Sequence, residues 1–316
     1  MFTRTAIIDK SLCGVIFKEI KGKSDVYSYA QSLTEAGADY IEIDLEALKR
    51  LPLPVGGEND VKYIFRIENA DECKYANALP FAYVLVPLRL SYLINKLEHP
   101  VILEIKTGDA DILALLKVVM ESIDLANVSL LRLIGDFKKT QEEFAEILYK
   151  IMKMSVVPFD ICPLNTTLGA LSAAITAYYA GVGSVTLNFG NSSNFTPLEE
   201  FLISMATVHK VNISKNYISG ICKAAVMSSL ISEIETLNLK MLMKRYQLSP
   251  QRVEMIDGLP MGFNPWKGQK ASRRSFMERR LDYMEVEEEL SEEILDKLKK
   301  CGLDFFTDCK KDDSLN

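Results

Sequence analysis

The chain has 316 residues, is 48% apolar and carries a formal charge of −6 at neutral pH. That length suits one α/β barrel of about 250 residues plus a tail, and the acidic balance argues against a nucleic-acid binder. No apolar run reaches the roughly 18–20 residues of a membrane helix, and the opening MFTRTAIIDK has no signal-peptide core, so the expected setting is the cytoplasm without membrane attachment. Six scattered cysteines form no CxxC pair and read as free thiols. With only His99 and His209 present, a mechanism needing two or three histidine ligands is nearly excluded by counting.

In chain order, residues 5–17 form a first apolar strand interrupted by Asp9-Lys10-Ser11. Ser24-Asp25 starts a helix and Gly37 stops it. Residues 39–45, DYIEIDL, alternate Ile41, Ile43 and Leu45 against Glu42 and Asp44, which places both carboxylates on one face of a second strand. Residues 61–67 (VKYIFRI) make a third strand with Arg66 near its end, and a helix over 70–78 follows. Residues 81–86 are a fourth strand and 88–97 a helix. Residues 101–105 (VILEI) are a fifth strand running into Lys106, with a helix over 109–122. Residues 128–133 (VSLLRL) are a sixth strand carrying Arg132, with a helix over 139–152.

Residues 155–161 and 184–187 supply strands seven and eight, separated by a small-residue helix over 168–179 and followed by a helix at Pro197. Eight apolar strands, each followed by a helix, predict a (β/α)8 TIM barrel over residues 1–240 with right-handed crossovers. An open doubly wound sheet is the alternative, but no GxGxxG follows an early strand. From about residue 241 to 316 the pattern changes to a C-terminal extension. It holds a loop-rich stretch, a basic cluster over 267–280 and an acidic helix over 285–301.

Sites in such barrels lie at the C-terminal ends of the strands. The polar residues expected there are Glu42, Asp44, Arg66, Lys106, Arg132, Asn165 and Asn188. Glu42, Arg66 and Lys106 are the candidate catalytic groups; Asp44, Arg132, Asn165 and Asn188 are the candidate substrate-binding groups. The two arginines suit a carboxylate or phosphate. The competing reading is an ion network that fills the mouth. Lys106 suits a Schiff-base aldolase or lyase if its environment depresses its pKa.

From Met1 to about residue 233 the order of elements resembles the homocitrate synthase / isopropylmalate synthase family, the DRE-TIM metallolyases. The likeness rests on EAGADYIE (35–42), Phe65-Arg66, Leu131-Arg132-Leu133, the small-residue helix from Leu168 to Gly181, and Asn188-Phe189-Gly190 followed by TPLEE (196–200). The resemblance implies a divalent-metal enzyme that joins an acetyl group from acetyl-CoA to a 2-oxo acid. It also implies a tendency to dimerise. The sequence departs from the family where that metal is held. The strand-one motif aligns as Asp9-Lys10-Ser11-Leu12-Cys13-Gly14, so the family's Arg-Asp pair falls on Cys13 and Gly14. The HxHND motif falls on Pro163-Leu164-Asn165-Thr166-Thr167, and the loop Asn falls near Phe195. Proline, glycine and phenylalanine offer no ligand side chain.

The resulting expectation is a divergent member with no metal cofactor. It would keep a small-carboxylate or acyl-CoA pocket, or act as a partner protein, as a homodimer or with a related synthase. The alternative is an active acyl-CoA-dependent 2-oxo acid synthase with a rebuilt site.

Overall fold

Eight parallel strands close on themselves in chain order. They are β1 (Ala6–Leu12), β2 (Tyr40–Ile43), β3 (Tyr63–Arg66), β4 (Tyr83–Pro87), β5 (Val101–Lys106), β6 (Val128–Gly135), β7 (Phe159–Pro163) and β8 (Ser184–Leu187). Each pairs with its neighbour and β8 returns to β1, with Ile7 opposite Val185. The computed structural model describes residues 4–15, 17, 24–51, 61–108, 111–137, 139–164, 169–190, 195–212 and 217–231. The expected extension, its basic cluster, its acidic helix and Asn165 lie outside the described residues.

The helices are α1 (Ser24–Ala36), α2 (Leu45–Arg50), α3 (Cys73–Ala78), α4 (Ile112–Ser122), α5 (Gln141–Met154), α6 (Ala170–Ala180), α7 (Leu198–Thr207) and α8 (Tyr217–Ile231). Local signals set their ends. Thr140 and Glu143 form a reciprocal capping box at α5. At α6, Gly181 adopts φ 77°, a left-handed turn that a side chain would strain. Two segments differ from expectation. Residues 88–96 wind as a 3-10 helix rather than an α-helix. Asp44 lies outside β2 and caps α2 instead, accepting from Ala47 N at 2.9 Å.

α8 packs on α1 and closes the helical coat. A Cβ at Gly220 would stand 2.2 Å from Ala36 N, so only glycine allows this approach, and Lys223 pairs with Glu35 at 2.7 Å.

The lumen follows from period-2 alternation. Ile8, Ile64, Leu85, Ile102 and Leu130 form a buried apolar layer, with Tyr40 and Tyr83 packed against it. Two residues further along the same strands stand Lys10, Arg66, Pro87, Glu104 and Arg132, and two beyond Tyr40 stands Glu42. An ionic layer therefore sits on an apolar floor, at the C-terminal ends of the strands.

Candidate active site at the barrel mouth

Arg132 is the largest fully buried side chain among the described residues. Its Nη1 donates to Glu42 Oε2 and its Nε to Asp160 Oδ2. β6 and β2 lie opposite one another in the barrel, so the Arg132–Glu42 pair spans the lumen. Asp160 also accepts from Thr186 Oγ1 of β8 at 2.8 Å. Arg66 grips Glu104 with two parallel bonds, both 2.8 Å, and its Nε reaches Glu68. Arg66 Nη1 stands 3.5 Å from Glu42 Oε1, and Arg132 Nη1 stands 3.7 Å from Glu104 Oε2. Five side chains on β2, β3, β5, β6 and β7 thus make one continuous network.

Burial alone would raise the Glu42 carboxyl, but the charges of Arg132, Lys10 and Arg66 overcome it and hold it down at about 2. Glu104 is likewise lowered, its burial outweighed by the Arg66 hydrogen bonds and by the charges of both arginines. Their carboxylate partners raise both guanidinium groups against burial. Permanently ionised, doubly engaged carboxylates make poor general bases. Burial pushes the Cys162 thiol up to about 12, and it raises Cys13 well above its ordinary value with Glu42 adding to the effect. Neither thiol is poised as a thiolate nucleophile.

The structure brings Glu42, Arg66 and Arg132 together. It does not bring the other candidates into the network. Lys106 ends β5 with an exposed side chain. Asp44 caps α2 and accepts from Gly14 N at 2.7 Å. Asn188 is buried and donates to the carbonyl of Phe189 at 3.0 Å.

Sequence reasoning omitted three members of the mouth. Glu104 and Asp160 complete the ionic layer, and Lys10 enters it from β1. Lys10 is buried, and its Nζ sits 4.1 Å from the centroid of the Phe195 ring. The available signal was clearest for Asp160, the single charge of an otherwise apolar β7. Among the described residues, no group of three or more His, Cys, Asp or Glu is placed to hold a metal.

A second polar cluster lies on the helix side of β1 and β8. Asp9 accepts from Ser11 N at 2.9 Å, from the Ser11 hydroxyl and from Phe189 N at 2.8 Å. Ser11 Oγ is 2.9 Å from the Tyr29 hydroxyl of α1. Glu199, in the first turn of α7, is fully buried, and both its oxygens stand 3.2 Å from Gly190 N. Burial raises Asp9 to about 6, with Glu42 adding to the rise, although three hydrogen bonds oppose it. Burial pushes Glu199 up to about 8, with Asp9 and Glu200 adding to the effect.

No protein-family model matches the chain. The chain is 27% identical over 221 residues to the protein named "Homocitrate synthase, omega subunit" of Clostridium pasteurianum, covering 66% of this chain. It spans 60% of the length of that relative. Among solved structures it is similar to the hydroxymethylglutaryl-CoA lyase of Pseudomonas aeruginosa, with a TM-score of 0.58 at 12% identity, over 77% of this chain and 98% of that one. The HMG-CoA lyase of Acinetobacter baumannii, solved with coenzyme A and 3-methylmalate, gives a TM-score of 0.56 at 12% identity, over 74% of this chain and 92% of that one. At that identity the two lyases establish the barrel fold.

Proposed function

We propose that this chain, homocitrate synthase-like in sequence and lyase-like in its barrel, is a divergent subunit that works beside a related synthase chain and does not itself carry out the metal-dependent condensation. The supporting observation is the Glu42–Arg132–Asp160 bridge through the lumen. It ties one buried guanidinium to carboxylates from two other strands across the lumen. The metal positions set by the family resemblance do not fit a divalent cation. Gly14 and Pro163 bring no donor, and Phe195 lays its ring over the ammonium of Lys10. A fixed positive charge there repels a metal. Without that cation the developing alkoxide loses its main electrostatic stabilisation.

The pairing is supported by the relative's name, which designates it one subunit of a homocitrate synthase. The residual capacity of the mouth is a small-carboxylate or acyl-CoA pocket. The test is co-expression of the full chain with a homocitrate synthase-type chain from the same cell, followed by sedimentation of the purified material. A stable hetero-complex is expected. Separate sedimentation of the two chains at micromolar concentration overturns the proposal.

A further inference from the structure

The connection from β8 to α7 is held at its root by several elements at once. Asn188 N accepts no role in the lumen but donates to Thr196 O, and Leu198 N donates to Asn188 O, both at 3.0 Å. From β1, Asp9 Oδ2 accepts from Phe189 N at 2.8 Å. From β7, the carbonyl of Pro163 accepts from Thr196 Oγ1 at 3.3 Å. From α7, both Glu199 oxygens stand 3.2 Å from Gly190 N. Phe189, Thr196 and Glu199 are all fully buried.

Among the described residues no cation pairs with Glu199. The charged groups acting on it are Asp9 of β1 and Glu200 of its own helix. Tyr29 of α1 feels both Asp9 and Glu199, and the Ser11 hydroxyl joins it to Asp9. Glu42 of β2 acts on Asp9 in turn. α6 carries no charged side chain, and Lys223 of α8 is paired with Glu35 of α1. The proton therefore decides whether this carboxyl can stay where it is. Protonated, it is a neutral acceptor beside Gly190. Ionised, it is a second negative charge near Asp9, buried without a counter-charge, and such a charge is costly.

We propose that Glu199 is a proton-operated latch on the root of the β8–α7 connection: protonated, it seats Phe189 and Gly190 against β1, and on ionisation it leaves its buried place and frees them locally while the barrel stays folded. Thr196 is bound at the same root, and its neighbour Phe195 lays its ring over Lys10. The latch thus links proton concentration to the contact between this connection and the lumenal Lys10. It does not depend on pairing with a synthase chain.

The sign follows from the two states. The released carboxyl has its ordinary value of 4.5 and the seated one about 8. The latch is fully held below 4.5, and its protection falls about tenfold per pH unit up to the seated value, where the fall levels off. The test is amide hydrogen exchange of the full-length chain from about pH 5 to 9, with each rate divided by that of an unstructured chain at the same pH. The expected result is that slope at Gly190, with Leu148 in the core of α5 better protected throughout, and a flat profile at Gly190 in Glu199→Gln. A flat profile in the unmodified chain overturns the latch. So does the same slope in Glu199→Gln, or equal protection at Gly190 and Leu148 at every pH, since opening is then global. If Glu199→Gln does not fold, Asp9→Asn replaces it: it keeps an acceptor for Phe189 N and removes the neighbouring charge, so the levelling-off moves to lower pH. An unmoved levelling-off overturns the latch as well.

Discussion

The molecule buries carboxylates completely in two places, a strand's thickness apart, and treats them in opposite ways. In the lumen, Glu42, Glu104 and Asp160 meet Arg66 and Arg132 through short charge-assisted bonds. On the helix side, Asp9 and Glu199 meet backbone N–H groups, a serine and each other's field, and no cation is paired with either among the described residues. Burial is nearly the same, so the partner decides the charge. Arginine holds Glu42 ionised, while Glu199 near neutral pH keeps its proton. The difference separates a rigid ionic layer from a cluster able to titrate near physiological pH.

Removing the cation breaks the first region hardest. Arg132→Ala leaves Glu42 and Asp160 buried without a partner and should cost the upper end of about 3–5 kcal/mol, read as a shift in urea midpoint. If Arg132→Met combined with Glu42→Gln and Asp160→Asn is no more stable than Arg132→Met alone, the lumen is not an ionic layer in the sense argued here.

The pH response should next separate the two regions by sign. Glu199 has its pKa raised from 4.5 to about 8 on folding. Its contribution is therefore fully present below pH 4.5 and lost as pH rises through about 8, a change of about 5 kcal/mol. Glu199→Gln should flatten that alkaline loss, checked by denaturant titration across pH 5 to 9. Glu42 has its pKa lowered from 4.5 to about 2, so its contribution of about 3 kcal/mol is present above pH 4.5 and lost as pH falls towards 2. Glu42→Gln should flatten the acid limb only. Identical pH profiles for the two variants would erase the comparison. The smallest effect is expected from Lys106→Ala. That side chain is exposed, so its removal should change stability by less than about 0.5 kcal/mol, measured by thermal unfolding.

The barrel itself was legible because its strands are short apolar runs at regular spacing, from VKYIFRI to VSLLRL. Their order fixes a closed parallel sheet once crossovers are right-handed. The charge on the mouth was legible one residue at a time but not as a network. Glu42 and Arg132 are 90 residues apart, and only barrel closure sets β2 opposite β6. Asp44 was misplaced by one step, because the alternation that makes Glu42 lumenal continues through it. Its side chain turns instead to the free N–H groups of α2 and to Gly14. Lys10 was hidden in a polar interruption of β1 that reads as loop. Its lumenal position depends on the alternation running through Asp9 and Lys10 despite their charge. The 3-10 winding of 88–96 has no distinct signal, since its apolar spacing also fits an α-helix.

The proposal that most needs testing is that this barrel does not itself carry out the metal-dependent condensation. The direct measurement is CoA-thiol release from acetyl-CoA by the purified full-length chain, with 2-oxoglutarate and with Mg²⁺, Mn²⁺ or Zn²⁺ supplied in turn. The account predicts no release above the protein-free rate with any of the three ions. Saturable, metal-dependent turnover by the chain alone would contradict it.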